Sequence, residues 1–476
     1  MYRYSNGQIS LSDFKQPVGM NLKENNRWVK KAQTIPWPDI EKRYARLFTN
    51  RKGNVAKPLR LALGACIIQM EYGFSDEETG LQIQENPYLQ YFCGYPGYDD
   101  EHLPFDPSLM VYFRKRLTPE VLGEINEMIL RDAKERQQKE AEENKDDDDS
   151  NPPTGGGNSG TLIVDATCAP SEIRFPQDVS LLDEARENAE QIIDALQEQS
   201  TEKKPRTYRN KAHKDSLKYI RSRKHTEKKT REAIRKQLQY LRRDLSIIDA
   251  MLRSGLKLSP KQQLRLETLR KIYEQQKYMY DNHTHSVPDR IVSISQPFIR
   301  PIVRGKAGKP VEFGVKLDIS VSDGWTRLEC WSFDAYNEAT KLIETIERYR
   351  AREGHYPERV LADKIYRNRE NLNYCKLHGI RLSGPALGRP KKDEQRDRRQ
   401  NYLDQNERIE VERQFSLAKR KCNLGKVKTK LEETVGFTLA MSIVVLNLRK
   451  LQRALSRLFL QILRYLWPQQ KLAFVQ

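Results

Sequence analysis

GTLIVDATCAP, residues 160–170, decides the fold class of this chain. Its β-branched, apolar run from Thr161 to Val164 follows a glycine and reads as a short buried strand with Asp165 at its tip, where a carboxylate can serve as a site residue. Before it stands AEENKDDDDSNPPTGGGNSG, residues 141–160, a charge run followed by Pro, Gly and Ser that lacks the apolar side chains a core needs. That composition marks a linker and a domain boundary, and Asp146, Asp147, Asp148 and Asp149 within it read as an acidic tether rather than a metal site.

Downstream the strand pattern is interrupted. Residues 180–285 are helical in pattern, and Ile234, Leu238, Leu241, Leu245, Ile248 and Leu252 recur at the 4,3 spacing of a coiled-coil seam. Ser259 and Pro260 start a returning helix, so a helical hairpin insertion is expected, thick with lysine and arginine. That basic face serves equally as a solvated surface or as a DNA contact. Strands resume in VEFGVKLDISVSDGWTRLECWSF, two alternating runs around a Ser-Asp-Gly turn. A helix closing at Gly354 follows, and PERVLADKIY supplies a further strand ending at Asp363. Strands followed by alternating helix and strand predict an α/β fold with a mixed sheet whose ligand edge carries Asp165 and Asp363.

Residues 20–135 read as a helical domain of their own. KPLRLALGACIIQMEYGF is its first helix, Ser75 with Glu78 caps a second, and Asp106 with Pro107 opens a third. Such a trio can present a helix to DNA, although the same pattern serves any small helical domain. The expected division is a helical DNA-binding domain at 1–135, a linker at 136–160, a catalytic α/β domain at 161–179 and 286–430, the insertion at 180–285, and C-terminal helices at 431–476.

The chain has 476 residues, enough for several cores, and 84 Lys and Arg against 65 Asp and Glu give a net charge of +19. A polyanionic partner, nucleic acid first, is the reading of that excess. The 6 cysteines are scattered without C-x-x-C pairs, and among the 7 histidines only His283 and His285 stand close, in a polar loop, so no structural zinc or disulfide framework is expected. The N-terminus lacks a secretory pattern, and the longest apolar stretch, VGFTLAMSIVVLNL at 435–448, falls short of the ~20 residues that span a bilayer. A buried helix, no membrane and a cytoplasmic, nucleoid-associated protein are therefore expected.

RIEVERQFSLAK, residues 408–419, carries the remaining acid. On a helix at about 100° per residue, Val411, Phe415, Ala418 and Cys422 form a core stripe, while Arg408, Glu412 and Lys419 form a second, narrow stripe along its border. A simple i,i+4 ion-pair ladder is one reading of that border. The other places Glu412 beside the two strand aspartates, where three carboxylates repel one another unless a metal holds them. An all-oxygen set suits Mg²⁺, and two such ions fit in-line displacement at phosphorus.

LIVDATCAP, RVLADKIYRNRENL and RIEVERQFSLAK together resemble the three catalytic segments of DDE transposases of bacterial insertion sequences. The third is similar to the signature of the insertion-sequence-four/five superfamily, Tyr-x2-Arg-x3-Glu-x6-Lys: Arg408, Glu412 and Lys419 match, whereas position 405 is Gln and Tyr402 lies three residues early. The helical N-terminal region and FIRPIVRGKAGKPVEFGVKL also look like corresponding parts of these enzymes, so the resemblance covers roughly 40–120 and 160–450. It implies an RNase H-like catalytic domain with catalytic and metal-binding Asp165, Asp363 and Glu412, and phosphate-binding Arg408 and Lys419. It further implies two Mg²⁺ ions, with Mn²⁺ able to substitute, and an endonuclease that binds terminal inverted repeats in double-stranded DNA and joins the cut ends to target DNA. A homodimer or higher oligomer on DNA is implied because two ends must be held. A domesticated DNA-binding protein without catalysis and a metal-dependent nuclease without joining are the alternatives. Asp363, not Asp318, is expected to be the second carboxylate, because Asp318 lies inside an alternating strand. GPALGRPKK reads as a basic loop, and GKAGKP lacks the spacing of a nucleotide-binding loop.

Overall fold

The computed structural model describes residues 1–4, 8–16, 20–49, 53–143, 157–306, 309–384 and 398–466. The acidic run at 146–149, most of the GPALGRPKK loop and the centre of GKAGKP lie outside these residues. Among the described residues, seven helices come first: α1 (Arg27–Thr34), α2 (Trp37–Ala45), α3 (Leu59–Tyr72), α4 (Asp76–Glu85), α5 (Pro87–Phe92), α6 (Leu109–Arg116) and α7 (Pro119–Glu143). The helix expected first is in fact α3, preceded by two short helices rich in aromatic residues. It is buried on nearly every side and ends at Gly73, whose φ of 76° is the left-handed cap a Cβ would resist. Ser75 caps α4 through the amide of Glu78, as its spacing suggests. Asp106 instead accepts the amide and hydroxyl hydrogens of Ser108, tying off a turn, so α6 starts three residues after it.

Strand β1 (Thr161–Pro170) runs through Asp165 rather than ending there. Four helices then intervene: α8 (Asp178–Gln197), α9 (Arg209–Ile220), α10 (Glu227–Arg253) and α11 (Pro260–Asp281). They form more than a hairpin. The seam residues Leu238, Leu241, Leu245 and Ile248 of α10 are buried against Leu182, Ile193 and Leu196 of α8 and Leu266, Leu269 and Ile272 of α11 in a core of their own. The seam is thus used within the chain, and Ser259 with Gln262 completes a capping box at the start of α11.

The sheet resumes with β2 (Arg300–Lys306), β3 (Lys309–Ser322) and β4 (Trp325–Ser332). β3 and β4 turn through Asp323 and Gly324, both at positive φ, the two-residue hairpin turn expected of Ser-Asp-Gly. After a short 3-10 turn come α12 (Leu342–Glu353), capped by Gly354, then β5 (Arg359–Leu361), α13 (Arg369–Leu377), β6 (Arg381–Leu382), α14 (Arg398–Lys421) and α15 (Glu432–Leu466). The sheet is mixed, in the order β4-β3-β1-β5-β6, with β2 also along β3. β3 is antiparallel to both β1 and β4, whereas β5 runs parallel to β1 and β6 parallel to β5. Antiparallel pairing with β3 from Ile163 to Pro170 is what carries β1 past Asp165.

Alternation gives the sheet two apolar faces. Ile163, Ala169, Val315, Leu317, Ile319, Val321 and Leu361 face α14 and α15, while Leu162, Val164, Val360, Ala362 and Leu382 face α12 and α13. The 435–448 stretch lies in α15, where every side chain but Gly436's is apolar or hydrogen-bond capable and all are buried. Its segment Glu432–Ala454 is long and apolar enough to cross a membrane by composition, yet its apolar stretch is 89% buried inside the protein. Because residues 435–448 of α15 are enclosed all round, they need apolar partners on several sides, and the N-terminal helices provide them. Met70, Leu122, Ile125 and Ile129 join α15 and the lower sheet face in one continuous core, so the helical N-terminal part does not stand apart from the sheet. Asn447 pins this junction: its side chain accepts from the Thr326 amide and donates to the Thr326 carbonyl and to Asn126 Oδ1, all buried.

Candidate active site

Parallel pairing of β1 and β5 ends at Ile163 and Leu361. Two residues further along each chain, and hence on the same face, stand Asp165 and Asp363. Asp165 Oδ1 accepts from the Ala166 amide at 2.8 Å. Asp363 caps the 3-10 turn that follows β5, its Oδ1 accepting from the Lys364 amide at 2.7 Å. Over this face lies α14, seated by Val411, Phe415, Ala418 and the following Cys422, the core stripe that its periodicity suggests. The neighbouring stripe is then delivered to the ends of the strands.

The three acids meet one guanidinium. Arg408 NH2 lies 3.7 Å from Asp165 Oδ2 and 3.8 Å from Glu412 Oε1, and its NH1 lies 3.9 Å from Asp363 Oδ1. The Arg408–Glu412 pair is therefore only one side of a four-residue cluster drawn from three segments of the chain. Exposure grades across it: the Asp165 side chain is 21% exposed, Asp363 51% and Glu412 63%. Burial raises the Asp165 carboxyl above the ordinary carboxylate range, with Asp363 and Glu412 adding to the rise and the Ala166 amide and Arg408 opposing it. Lys419, two turns beyond Glu412, reaches back to β1 and donates to Thr167 Oγ1 at 3.0 Å. All five residues singled out in the sequence thus gather at one edge of the sheet.

Asp318 is elsewhere. It pairs with Ala166 across β1 and β3, so it points to the opposite face from Asp165. There it is 1% exposed, accepts from the Tyr336 hydroxyl at 2.7 Å, and is pushed up to about 7 by burial.

Two ion pairs that the sequence reading missed hold α14 in place. Arg381 grips Asp404 with both terminal nitrogens, at 2.7 and 2.8 Å, and Arg359 grips Glu407 at 2.9 and 2.8 Å. Arg359 and Arg381 face each other in register across β5 and β6. Two like charges directly opposite are unfavourable unless acids answer them, but the register that sets these two opposite is not readable from the local sequence. Asp404 and Glu407 answer from the turn of α14 just before Arg408.

The donor set at the cluster is all oxygen, and the structure already gathers it around a cation. Both features fit a divalent cation, which Asp165, Asp363 and Glu412 could hold. Among the described residues, the group whose ligand atoms all lie within 4.8 Å of one another is Asp183, Glu187 and His213, whereas the three acids of the cluster are spread around Arg408. Arg186 and Ser216 already bond Asp183, however, which makes that group part of the ion-pair network of the helical insertion.

Comparison with known proteins follows the same outline. A family model described as "Transposase DDE domain" matches residues 360–449, a span that includes Asp363, Arg408, Glu412 and Lys419, and a second described as "Transposase domain" matches residues 18–116. The chain is similar to "Uncharacterized protein ORF8 in nfe locus" of Rhizobium meliloti, 32% identical over 123 residues, which cover 26% of this chain and 58% of that protein. No solved structure matches significantly. The chain thus matches a transposase domain in its N-terminal helices and a DDE domain across its α14 and α15 region, and these matches support a DDE transposase of an insertion sequence.

Proposed function

We propose that this chain is a metal-dependent transposase that binds the terminal inverted repeats of its element, cleaves the DNA strands at their ends and joins the freed 3′-hydroxyls to target DNA. The observation that carries this reading is the convergence of Asp165, Asp363 and Glu412 on a single cationic position at the sheet edge. The strand order and directions support an RNase H-like catalytic domain, in which the first strand is flanked by an antiparallel hairpin on one side and parallel strands on the other. In this scheme the carboxylates bind and orient two divalent ions, Mg²⁺ being the natural pair, whose bound chemistry is Lewis acidity toward the attacking and leaving oxygens. Lys419 and Arg408 hold phosphate oxygens beside them, and the pairs Arg359–Glu407 and Arg381–Asp404 keep α14 at the height that presents Glu412. The N-terminal part, residues 1–135, reads element ends; 136–160, which begins as the last turns of α7, links it; 161–179 with 286–430 form the catalytic domain around the insertion at 180–285; and 431–476 is the C-terminal support. A dimer or higher oligomer at the nucleoid brings two ends together.

Incubating the chain with labelled element ends, target DNA and Mg²⁺ tests the proposal. Cut and joined products are expected. Cutting without joining makes the chain a nuclease, and binding alone makes it a DNA-binding protein. Glu412→Gln should bind the ends as wild type does and lose cleavage by on the order of a thousandfold, the effect of ~4 kcal/mol of lost transition-state stabilisation.

A further inference from the structure

We propose that Arg408 is a built-in counter-cation of the carboxylate cluster, occupying it in DNA-free protein and leaving it for a DNA phosphate, so that metal and DNA bind cooperatively. This rests on the active-site reading above and adds a regulation to it. The geometry separates Arg408 from the other arginines nearby. Arg359 and Arg381 are locked onto one carboxylate each, by paired contacts of 2.7 to 2.9 Å. Arg408 instead stands 3.7, 3.8 and 3.9 Å from three carboxylates, beyond hydrogen-bond length from each. Its Nε is buried and has no hydrogen-bond partner among the described residues. A guanidinium placed centrally but bonded to no single acid is held by the summed field of three anions, and it can be exchanged for another cation without breaking a specific bond.

The charges explain why such a device is useful. Without any cation, three carboxylates at one strand edge repel one another, and Asp165 is partly buried as well. Arg408 relieves that repulsion when no metal is present. A divalent ion held by the same oxygens stands within a few ångströms of the guanidinium, and like charges at that range repel strongly outside bulk water. Arg408 must then turn outward from α14, whose same border stripe carries Lys419 about three turns further on. A phosphate matches the planar fork of a guanidinium and is the group that DNA brings to this edge. If DNA draws Arg408 away, it raises metal affinity, and by linkage metal raises DNA affinity by the same factor.

Mn²⁺ titration of the full chain, followed by the spin resonance of free Mn²⁺, reads this without turnover. Arg408→Gln should bind Mn²⁺ about tenfold more tightly than wild type, and Arg408→Lys, which keeps a charge but not the fork, should fall between them. Short duplex DNA should tighten Mn²⁺ binding to wild type and leave Arg408→Gln nearly unchanged. Circular dichroism confirms the fold of each variant, and if Arg408→Gln does not fold, Arg408→Lys and the DNA effect on wild type decide. Unchanged Mn²⁺ affinity in the Arg408 variants, while Glu412→Gln weakens it, overturns the counter-cation and leaves the metal site standing. Unchanged affinity in Glu412→Gln and Asp363→Asn overturns the site itself.

Discussion

Asp165 and Asp318 lie on adjacent strands, one step apart in register, and end in different worlds. On the Asp165 side the sheet edge is open. Asp363 and Glu412 arrive from separate segments, and the carboxylates surround a cation while keeping contact with solvent. On the Asp318 side the sheet is sealed under Tyr336. The acid is satisfied at one oxygen by a neutral hydroxyl, its other oxygen has no partner among the described residues, and burial favours its protonated form. A carboxylate among apolar strands is thus not a site by virtue of being there. The face selects: one accumulates negative charge that an ion can answer, and on the other burial disfavours the charged form.

The largest expected effect tests that contrast directly. Asp363→Asn should reduce cleavage of element ends in Mg²⁺ by on the order of a thousandfold with end binding retained, since one ligand to the ions loses its charge. Asp318→Asn should cleave within about threefold of wild type, because it touches only the closed face. The reverse pattern, measured on the same labelled duplex, would move the active site to the other side of the sheet.

The second effect is on stability and concerns Asp318 alone. Its folded-state value, about 7, lies above the ordinary 3.8 of an unfolded aspartate, so the native protein binds this proton more tightly than the unfolded chain does. The associated stability is fully present below about pH 4 and is lost as the pH rises through about 7. Asn keeps an oxygen for the Tyr336 hydroxyl and has no proton to lose. Asp318→Asn should therefore be more stable than wild type at pH 8 by about 2–4 kcal/mol and lose that advantage near pH 4. Paired urea titrations at the two pH values measure it, and a pH-independent difference would mean that Asp318 is already charged in the fold.

How much of this was legible beforehand follows from the range of the interactions. The α14 stripes were readable because helical periodicity is local, and Val411, Phe415 and Ala418 are buried as that period requires. The hairpin at Asp323 and Gly324 was readable for the same reason. The length of β1 was not, since its continuation past Asp165 depends on β3, more than a hundred residues away. Nor was the shared core. The run at 435–448 announces burial but not its partners, and only the fold shows the N-terminal helices closing around α15. At the site, the acids were visible as residue types, while the grips of Arg359 on Glu407 and Arg381 on Asp404 depend on strand register that no local pattern encodes. The choice between Asp165's face and Asp318's was itself a matter of register by one residue.

The smallest effect sharpens the open side of the comparison. Lys419 lies on the Asp165 face, and its ammonium reaches Thr167 of β1. That contact holds the side chain on the face of Asp165, where an ammonium can meet a phosphate oxygen of bound DNA. A single phosphate contact contributes about 0.9 to the slope of log affinity against log salt. Lys419→Ala should therefore weaken binding to element ends and to random duplex alike, by about tenfold at moderate salt, and lower that slope by about 1. Sequence preference should not change, because a phosphate carries no sequence. If the slope stays at its wild-type value while thermal stability falls, Lys419 is a peg between α14 and β1, and the phosphate grip at this edge falls to Arg408 alone.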